Sequence, residues 1–166
     1  MTVAELVQAY DLRPHPEGGY FKETYRSKGR IQAPALPKEF HGDRNYSTAI
    51  YFLLPQGAKS HLHRLQADEI WHFYLGGPLT IVEISPSGQV ETIIMGSDVK
   101  GGQKLQHVVP AGYWFGAYPS KSSPYSFVGC TVSPGFDFAD FEMGNRKELL
   151  RQFPQAKEII DRLTDP

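Results

Sequence analysis

The sequence predicts an all-β sandwich or barrel with short helices at its two ends. From Tyr20 to about Asp137, short runs rich in Ile, Val, Thr and aromatic residues recur about every ten residues. Turn-forming breaks separate them: Gly76-Gly77-Pro78, Pro86-Ser87-Gly88, Gly101-Gly102, Pro110-Ala111-Gly112 and Pro134-Gly135. Helical periodicity is confined to the termini.

In chain order, Val3, Leu6, Val7 and Tyr10 fall at i, i+3, i+4 and i+7, which predicts a short amphipathic helix closing at the Pro14-His15-Pro16 loop. The strand region follows. Near the C-terminus, Asn145 with Glu148 three residues on is a helix start, and Pro154 opens a second helix with Ala156, Ile159, Ile160 and Leu163 on its apolar face. With 166 residues, 40% of them hydrophobic, the chain suits one domain at 1–166, its barrel at about 17–143 and its helical tail at about 145–164.

Composition excludes several function classes. Seventeen basic and eighteen acidic residues leave a net charge of −1, and no basic run supplies the footprint that phosphate neutralisation needs, so no nucleic-acid partner is expected. No apolar run reaches the roughly 18 residues of a membrane span, and no secretory signal pattern opens the chain. The single cysteine, Cys130, lies in an apolar strand as an inert core residue and suits a reducing compartment, the cytoplasm. The expected partner is a small molecule.

Chemistry concentrates in His61-Leu62-His63, followed by Asp68-Glu69 and Trp71-His72-Phe73-Tyr74. Side chains two apart on a strand share a face, so His61 and His63 are expected to meet Glu69 from a neighbouring strand, as a metal site or an acid/base site, with one residue of register deciding between Glu69 and Asp68 as the inward acid. A divalent ion (iron, manganese, nickel or zinc) is the cofactor such a trio would hold. His72 faces away from Glu69 on a regular strand and joins the pocket if a bulge turns it. Phe115 is expected to form an apolar wall. His15 and His41 fall in proline- or glycine-bearing loops and are expected to be solvated, and His107 reaches the interior only if its strand turns inward. In Phe-Asp-Phe-Ala-Asp-Phe, Asp137 and Asp140 read as residues of a solvated strand face.

His61 to Glu69, with Gly76 six residues beyond, resembles the first motif of the cupin superfamily, and Pro110-Ala111-Gly112 resembles the core of its second. Phe115 and Pro119 stand where that second motif carries histidine and asparagine. Across nearly the whole chain, His15-Pro16-Glu17-Gly18-Gly19-Tyr20 through Arg26, Asp68 to Tyr74, Val109 to Gly112 and Val128 to Phe138 look like the small single-domain cupin-like proteins of unknown function. This resemblance implies a double-stranded β-helix jelly roll with an internal pocket, in a homodimer; because open jelly-roll sheets leave edges, the strand near Tyr20 to Arg26 is expected to pair with or cross onto the second subunit. Gly18 to Glu23 is also similar to the early strand of the cupin-fold dTDP-sugar epimerases, which implies ligand contacts from Tyr20, Phe21 and Glu23 and places His63 where those enzymes carry a general base.

Three functions follow as expectations. The first is a cupin binding a small polar metabolite through His61, His63 and Glu69. The second is an isomerase or epimerase of a nucleotide sugar or related carbonyl compound, with His63 and Glu69 catalytic. The third is a metal-dependent oxygenase-type enzyme with His61, His63 and Glu69 as ligands.

Overall fold

The computed structural model covers residues 1–166. Helix α1 (Val3–Tyr10) starts on a capping box: Thr2 Oγ1 accepts the Glu5 N–H at 3.2 Å, and the Glu5 carboxylate accepts the Thr2 N–H at 2.7 Å. It ends at Asp11, in the left-handed conformation at φ 49°, before the proline loop the sequence predicts as its end. The strands that follow are β1 (Arg13–Pro14), β2 (Tyr20–Arg26), β3 (Arg30–Ile31), β4 (Arg44–Asn45), β5 (Thr48–Pro55), β6 (Ser60–Arg64) and β7 (Asp68–Gly76). After these come β8 (Leu79–Ile84), β9 (Val90–Met95), β10 (Gln106–Val109), β11 (Trp114–Pro119), β12 (Tyr125–Ser133) and β13 (Glu142–Met143). Helices α2 (Arg146–Gln152) and α3 (Lys157–Leu163) close the chain. Asn145 caps α2 by accepting the Glu148 N–H at 3.2 Å, as the sequence predicts, and a 3-10 turn from Pro154 leads into α3.

Two antiparallel sheets face each other, in the orders β1-β2-β5-β12-β7-β10 and β13-β6-β11-β8-β9, with a small β3-β4 ribbon beside them. Alternation sorts each strand between layers. Phe52, Leu54, Trp71, Val128 and Cys130 from the first sheet meet Leu79, Ile81, Phe115 and Ala117 from the second in the central core. The outer face of the second sheet, through Leu62, Val82, Ile84 and Trp114, is covered by Leu149, Phe153, Ile160 and Leu163 of the C-terminal helical segment. Helix α1 lays Leu6 on Leu53 and Phe127 of the first sheet's outer face. The chain is therefore an all-β jelly roll with terminal helices as lids.

Three irregularities in register matter for the site. Phe115 pairs with His63 while Ala117 pairs with Ser60, so β6 carries one extra residue. Glu23 pairs with Ile50 and Tyr25 with Ala49, a second bulge at Thr24. Phe127 pairs with Leu75 and Val128 with Phe73, a third bulge at Tyr74. The first sheet's edge is not bare at its start, because β1 pairs with Tyr20 and Phe21 and leaves only the rest of β2 uncovered.

Phe138 to Asp140 form a 3-10 turn rather than the predicted strand. Asp137 caps it through the Ala139 N–H at 2.8 Å. Asp140 is buried, not solvated, and accepts both forks of the buried Arg44 guanidinium at 2.7 and 2.6 Å. That pair fixes the 136–141 segment against β4.

Candidate functional site: a buried acid/imidazole cluster in the barrel

The barrel encloses a cavity of about 300 Å3 between β2, β5, β12, β6 and the 136–141 segment. Its deep end is polar, with His63, Glu17 and Glu69 all buried. Phe21, Phe136, Phe138, Phe141 and the ring of His15 supply aromatic walls, and Glu23, Arg26 and Asp137 lie at the exposed mouth.

The β6 bulge decides which histidine enters. Phe115 and Ala117 both face the core, so their partners His63 and Ser60 face it too, three residues apart instead of two. His61 is turned out. Its backbone N–H and Nδ1 both contact the Glu17 carbonyl, at 2.7 and 2.6 Å, and its Nε2 contacts Asp165 at 2.8 Å. The expectation that His61 and His63 share a face is thus corrected, because the extra residue breaks the two-residue period. Glu69 comes from the opposite sheet, not from a neighbouring strand, and points inward while Asp68 is exposed and accepts the Ala111 N–H at 2.8 Å.

Glu17 is the partner that sequence reasoning did not single out. Its Oε2 lies 2.9 Å from His63 Nε2, and its Oε1 accepts from Ser60 Oγ at 2.9 Å. His63 Nδ1 lies 2.7 Å from the His61 carbonyl, which can only accept, so Nδ1 carries a proton. Nε2 facing a carboxylate carries the second, and His63 is an imidazolium. Burial alone lowers the His63 pKa, but the Glu17 carboxylate, its hydrogen bond and the more distant Glu69 overcome this and leave it raised. Burial pushes Glu17 up and His63 pulls it below the ordinary value.

Glu69 has no ion pair. Burial, reinforced by the Glu17 carboxylate, pushes its pKa up to about 7 despite the opposing pull of His63. The Cys130 thiol beside it is pushed well up by burial and by the same carboxylates, which agrees with an inert thiol. His15, expected to be solvated, has a side chain only 7% exposed. Its Nδ1 accepts the Glu17 N–H at 3.1 Å, so the proton sits on Nε2, and burial lowers its pKa. The neutral ring presents an N–H with no partner in the protein.

Two glycines bring this loop close. Gly18 has φ +111°, and a Cβ there would lie 2.1 Å from the Lys59 carbonyl oxygen. Gly19 has φ +69°, with a Cβ position 2.6 Å from the Leu53 carbonyl oxygen. The loop carrying His15 and Glu17 can therefore pass directly over β6.

Other expected site residues divide cleanly. Phe21 and Glu23 line the cavity, and the Thr24 bulge keeps Arg26 on that side as well. Tyr20 faces the other way and packs against the α1 cluster. Phe115 is not a cavity wall: it lies behind His63, ring centroids 4.1 Å apart, in the central core. His72 stays on the outer face because the β7 bulge falls at Tyr74, beyond it. There it contacts Thr131 Oγ1 at 3.0 Å and stacks on Tyr74. His107 does turn inward, but it pairs with the buried Glu83 away from the cavity.

The donor set does not fit a metal ion. His61 points away, both nitrogens of His63 are occupied, and no group of three or more His, Cys, Asp or Glu side chains is arranged to hold one. The trio His61, His63 and Glu69 therefore does not form the three-ligand face that the sequence suggests.

A jelly-roll barrel enclosing a cavity floored by charged side chains is an architecture of the cupin type. The chain belongs to the Cupin superfamily (DUF985), whose family model matches residues 4–144. It is 34% identical over 148 residues to an uncharacterized protein of Saccharomyces cerevisiae, covering 84% of this chain and 73% of that one. Among solved structures, a Shewanella oneidensis protein is 38% identical with a TM-score of 0.90, covering 100% of this chain and 99% of that one. A hypothetical protein from Leishmania major is 33% identical with a TM-score of 0.90, covering all of both chains. Bacillus subtilis oxalate decarboxylase shares the fold alone, at 16% identity and a TM-score of 0.56 over 92% of this chain and 37% of that one. No helix is long and apolar enough to cross a membrane.

Proposed function

We propose that the protein binds a small polar metabolite inside the barrel. The observation that carries this reading is Glu69, a buried carboxyl without an ion pair that opens onto a cavity of about 300 Å3 already containing the Glu17–His63 pair. Burying such a group is costly unless it meets something there. The volume lies at the small end of ligand pockets and suits one compact metabolite. A thermal-shift screen of small metabolites at millimolar concentration is expected to find stabilising ligands, a hundredfold excess over Kd adding about 2.7 kcal/mol. Complete absence of shifts would count against the pocket as a binding site.

The same carboxyl favours a second reading, proton transfer of the isomerase or epimerase kind. With a pKa of about 7, Glu69 can take a proton from carbon beside a carbonyl and return it at neutral pH. The electron pair left behind moves onto the carbonyl oxygen, which the His15 Nε2–H can stabilise. His63 does not serve as base in this scheme, since neither ring nitrogen offers a lone pair. Its imidazolium holds Glu17 in place. Incubation with carbonyl metabolites, including a keto-sugar nucleotide, in deuterated water is expected to show carbon-bound deuterium that Glu69→Gln abolishes. No exchange by the wild type would sink this reading and leave binding intact.

The assembly we propose is a homodimer through the outer face of the six-stranded sheet. Beyond α1 that face is uncovered, and Tyr74, Leu75 and Val108 are 46, 44 and 44% exposed there. Light scattering at micromolar concentration is expected to give twice the chain mass, and a monomer mass would refute the dimer. A single buried free thiol, Cys130, supports a reducing compartment such as the cytoplasm.

A further inference from the structure

We propose that the cavity selects a cation: its ligand is a small ammonium-bearing molecule, held between the aromatic rings with its charge balanced by Glu69 inside and Asp137 at the mouth. This rests on the reading of the barrel as a metabolite pocket and names the chemical class of the occupant.

The argument begins with charge. Four carboxylates line the cavity, Glu17, Glu23, Glu69 and Asp137, against two cations, Arg26 and His63. Both cations are committed. His63 pairs with Glu17 at 2.9 Å. Arg26 donates to both Glu23 oxygens at 2.9 and 2.8 Å, to Asn45 Oδ1 at 2.9 Å and to the Phe136 carbonyl at 3.0 Å, so little of its guanidinium is left for an anionic ligand. Arg44, the next cation, is held bidentately by Asp140. Glu69 and Asp137 remain without ion pairs, and Glu69 is only 8% exposed. An ammonium entering here would draw Glu69, part-ionised at neutral pH with its pKa of about 7, into its carboxylate form and pair with it, whereas a carboxylate or phosphate would find no uncommitted cation.

The walls supply an independent argument. Phe138 stands 5.9 Å from Phe141 and 4.9 Å from Phe136, centroid to centroid, at interplanar angles of 73° and 82°. The ring of His15 closes the set against Phe21 at 4.6 Å. These rings line one cavity, and the negative face of an aromatic ring attracts a cation most strongly where water is excluded. The His63 imidazolium stacks on Phe141 from the floor of the cavity, ring centroids 5.3 Å apart, while no arginine or lysine lies over Phe21, Phe136 or Phe138. The Arg44 guanidinium lies over Phe40, outside the cavity lining.

The test is titration calorimetry with two matched pairs: choline against its uncharged isostere with carbon in place of nitrogen, and benzylamine against benzyl alcohol. The carboxylate tert-butylacetate serves as the anionic control. In at least one pair the cation is expected to bind about tenfold or more tighter than its partner, and tert-butylacetate is expected not to bind. Glu69→Gln should remove most of that preference without unfolding the barrel, since it deletes a charge and keeps the shape. Phe138→Leu, at a residue already 53% exposed, should weaken the cation several-fold and leave the neutral partner nearly unchanged. Equal or tighter binding of the neutral or anionic compounds, or no cation binding in either pair, overturns the inference. If the metabolite screen meanwhile finds ligands of another charge type, the pocket reading survives; if it also finds nothing, both fall.

Discussion

Glu17→Ala is expected to destabilise the protein by about 3–5 kcal/mol, as removal of one partner from a buried ion pair does. The change leaves the His63 imidazole buried without its counter-ion and the Ser60 hydroxyl without its acceptor. The proton on His63 should respond as well. In the wild type its pKa is raised because Glu17 outweighs burial; without Glu17 the strongest influences opposing burial are gone and the pKa is expected to fall. Chemical denaturation measures the first effect, and an NMR titration of the ring proton measures the second. In linkage, the raised His63 contributes stability that is full below its unfolded pKa and lost as pH rises through its folded value. Glu17, with a lowered pKa, contributes stability present above its unfolded value and lost as pH falls through the folded one. A Glu17→Ala variant as stable as the wild type at neutral pH would show that the pair does not hold the loop to β6.

Glu69→Gln should have the opposite sign. Glu69 titrates at about 7 in the folded protein against a reference of 4.5, so it stays protonated on folding where the unfolded chain has already released its proton. Below the reference value both states hold the proton and the carboxyl costs nothing. Across the window from there to about 7 the penalty grows, and above it reaches about 3 kcal/mol. The variant is therefore expected to gain on the wild type as pH rises through that window and to be the more stable protein at pH above it, while losing ligand. His63 and Glu17 titrate in both proteins, so the difference between the two stability curves reports Glu69 together with its coupling to that pair. A difference that does not change with pH would contradict the raised pKa. The trade of stability for a charged cavity is the usual mark of a group retained for function.

The layers of the fold were legible because each rests on a local rule. Apolar periodicity located α1, Asn145 and Glu148 located the start of α2, and turn residues separated the strands. Between Asp68 and Glu69 alternation alone could not decide, because one residue of register exchanges the faces; pairing of β7 with β12 and β10 turns Glu69 inward. The outward turn of His61 was not legible either. A bulge leaves no mark in the two-residue pattern of Ser60-His61-Leu62-His63, and whether one occurs is fixed by pairing with β11, which lies far along the chain. Glu17 and His15 were hidden for a related reason: a proline- and glycine-bearing loop reads as solvated unless something draws it inward, here hydrogen bonds from Ser60 and His61. Asp140 was misread because its partner Arg44 stands on a strand of only two residues, Arg44–Asn45, too short to recognise. The run Pro14-His15-Pro16-Glu17-Gly18-Gly19 did hold one usable signal, a histidine and a glutamate fixed between prolines and paired glycines.

Gly18 has no side chain and contacts no ligand, yet it governs the electrical state of the pocket. Any other residue there would push against the Lys59 carbonyl, lift Glu17 from His63 and let the imidazole lose its proton, and the field felt by Glu69 would change with it. The protonation of the barrel interior thus depends on how closely two stretches of backbone can approach, a distance held by an absent methyl group.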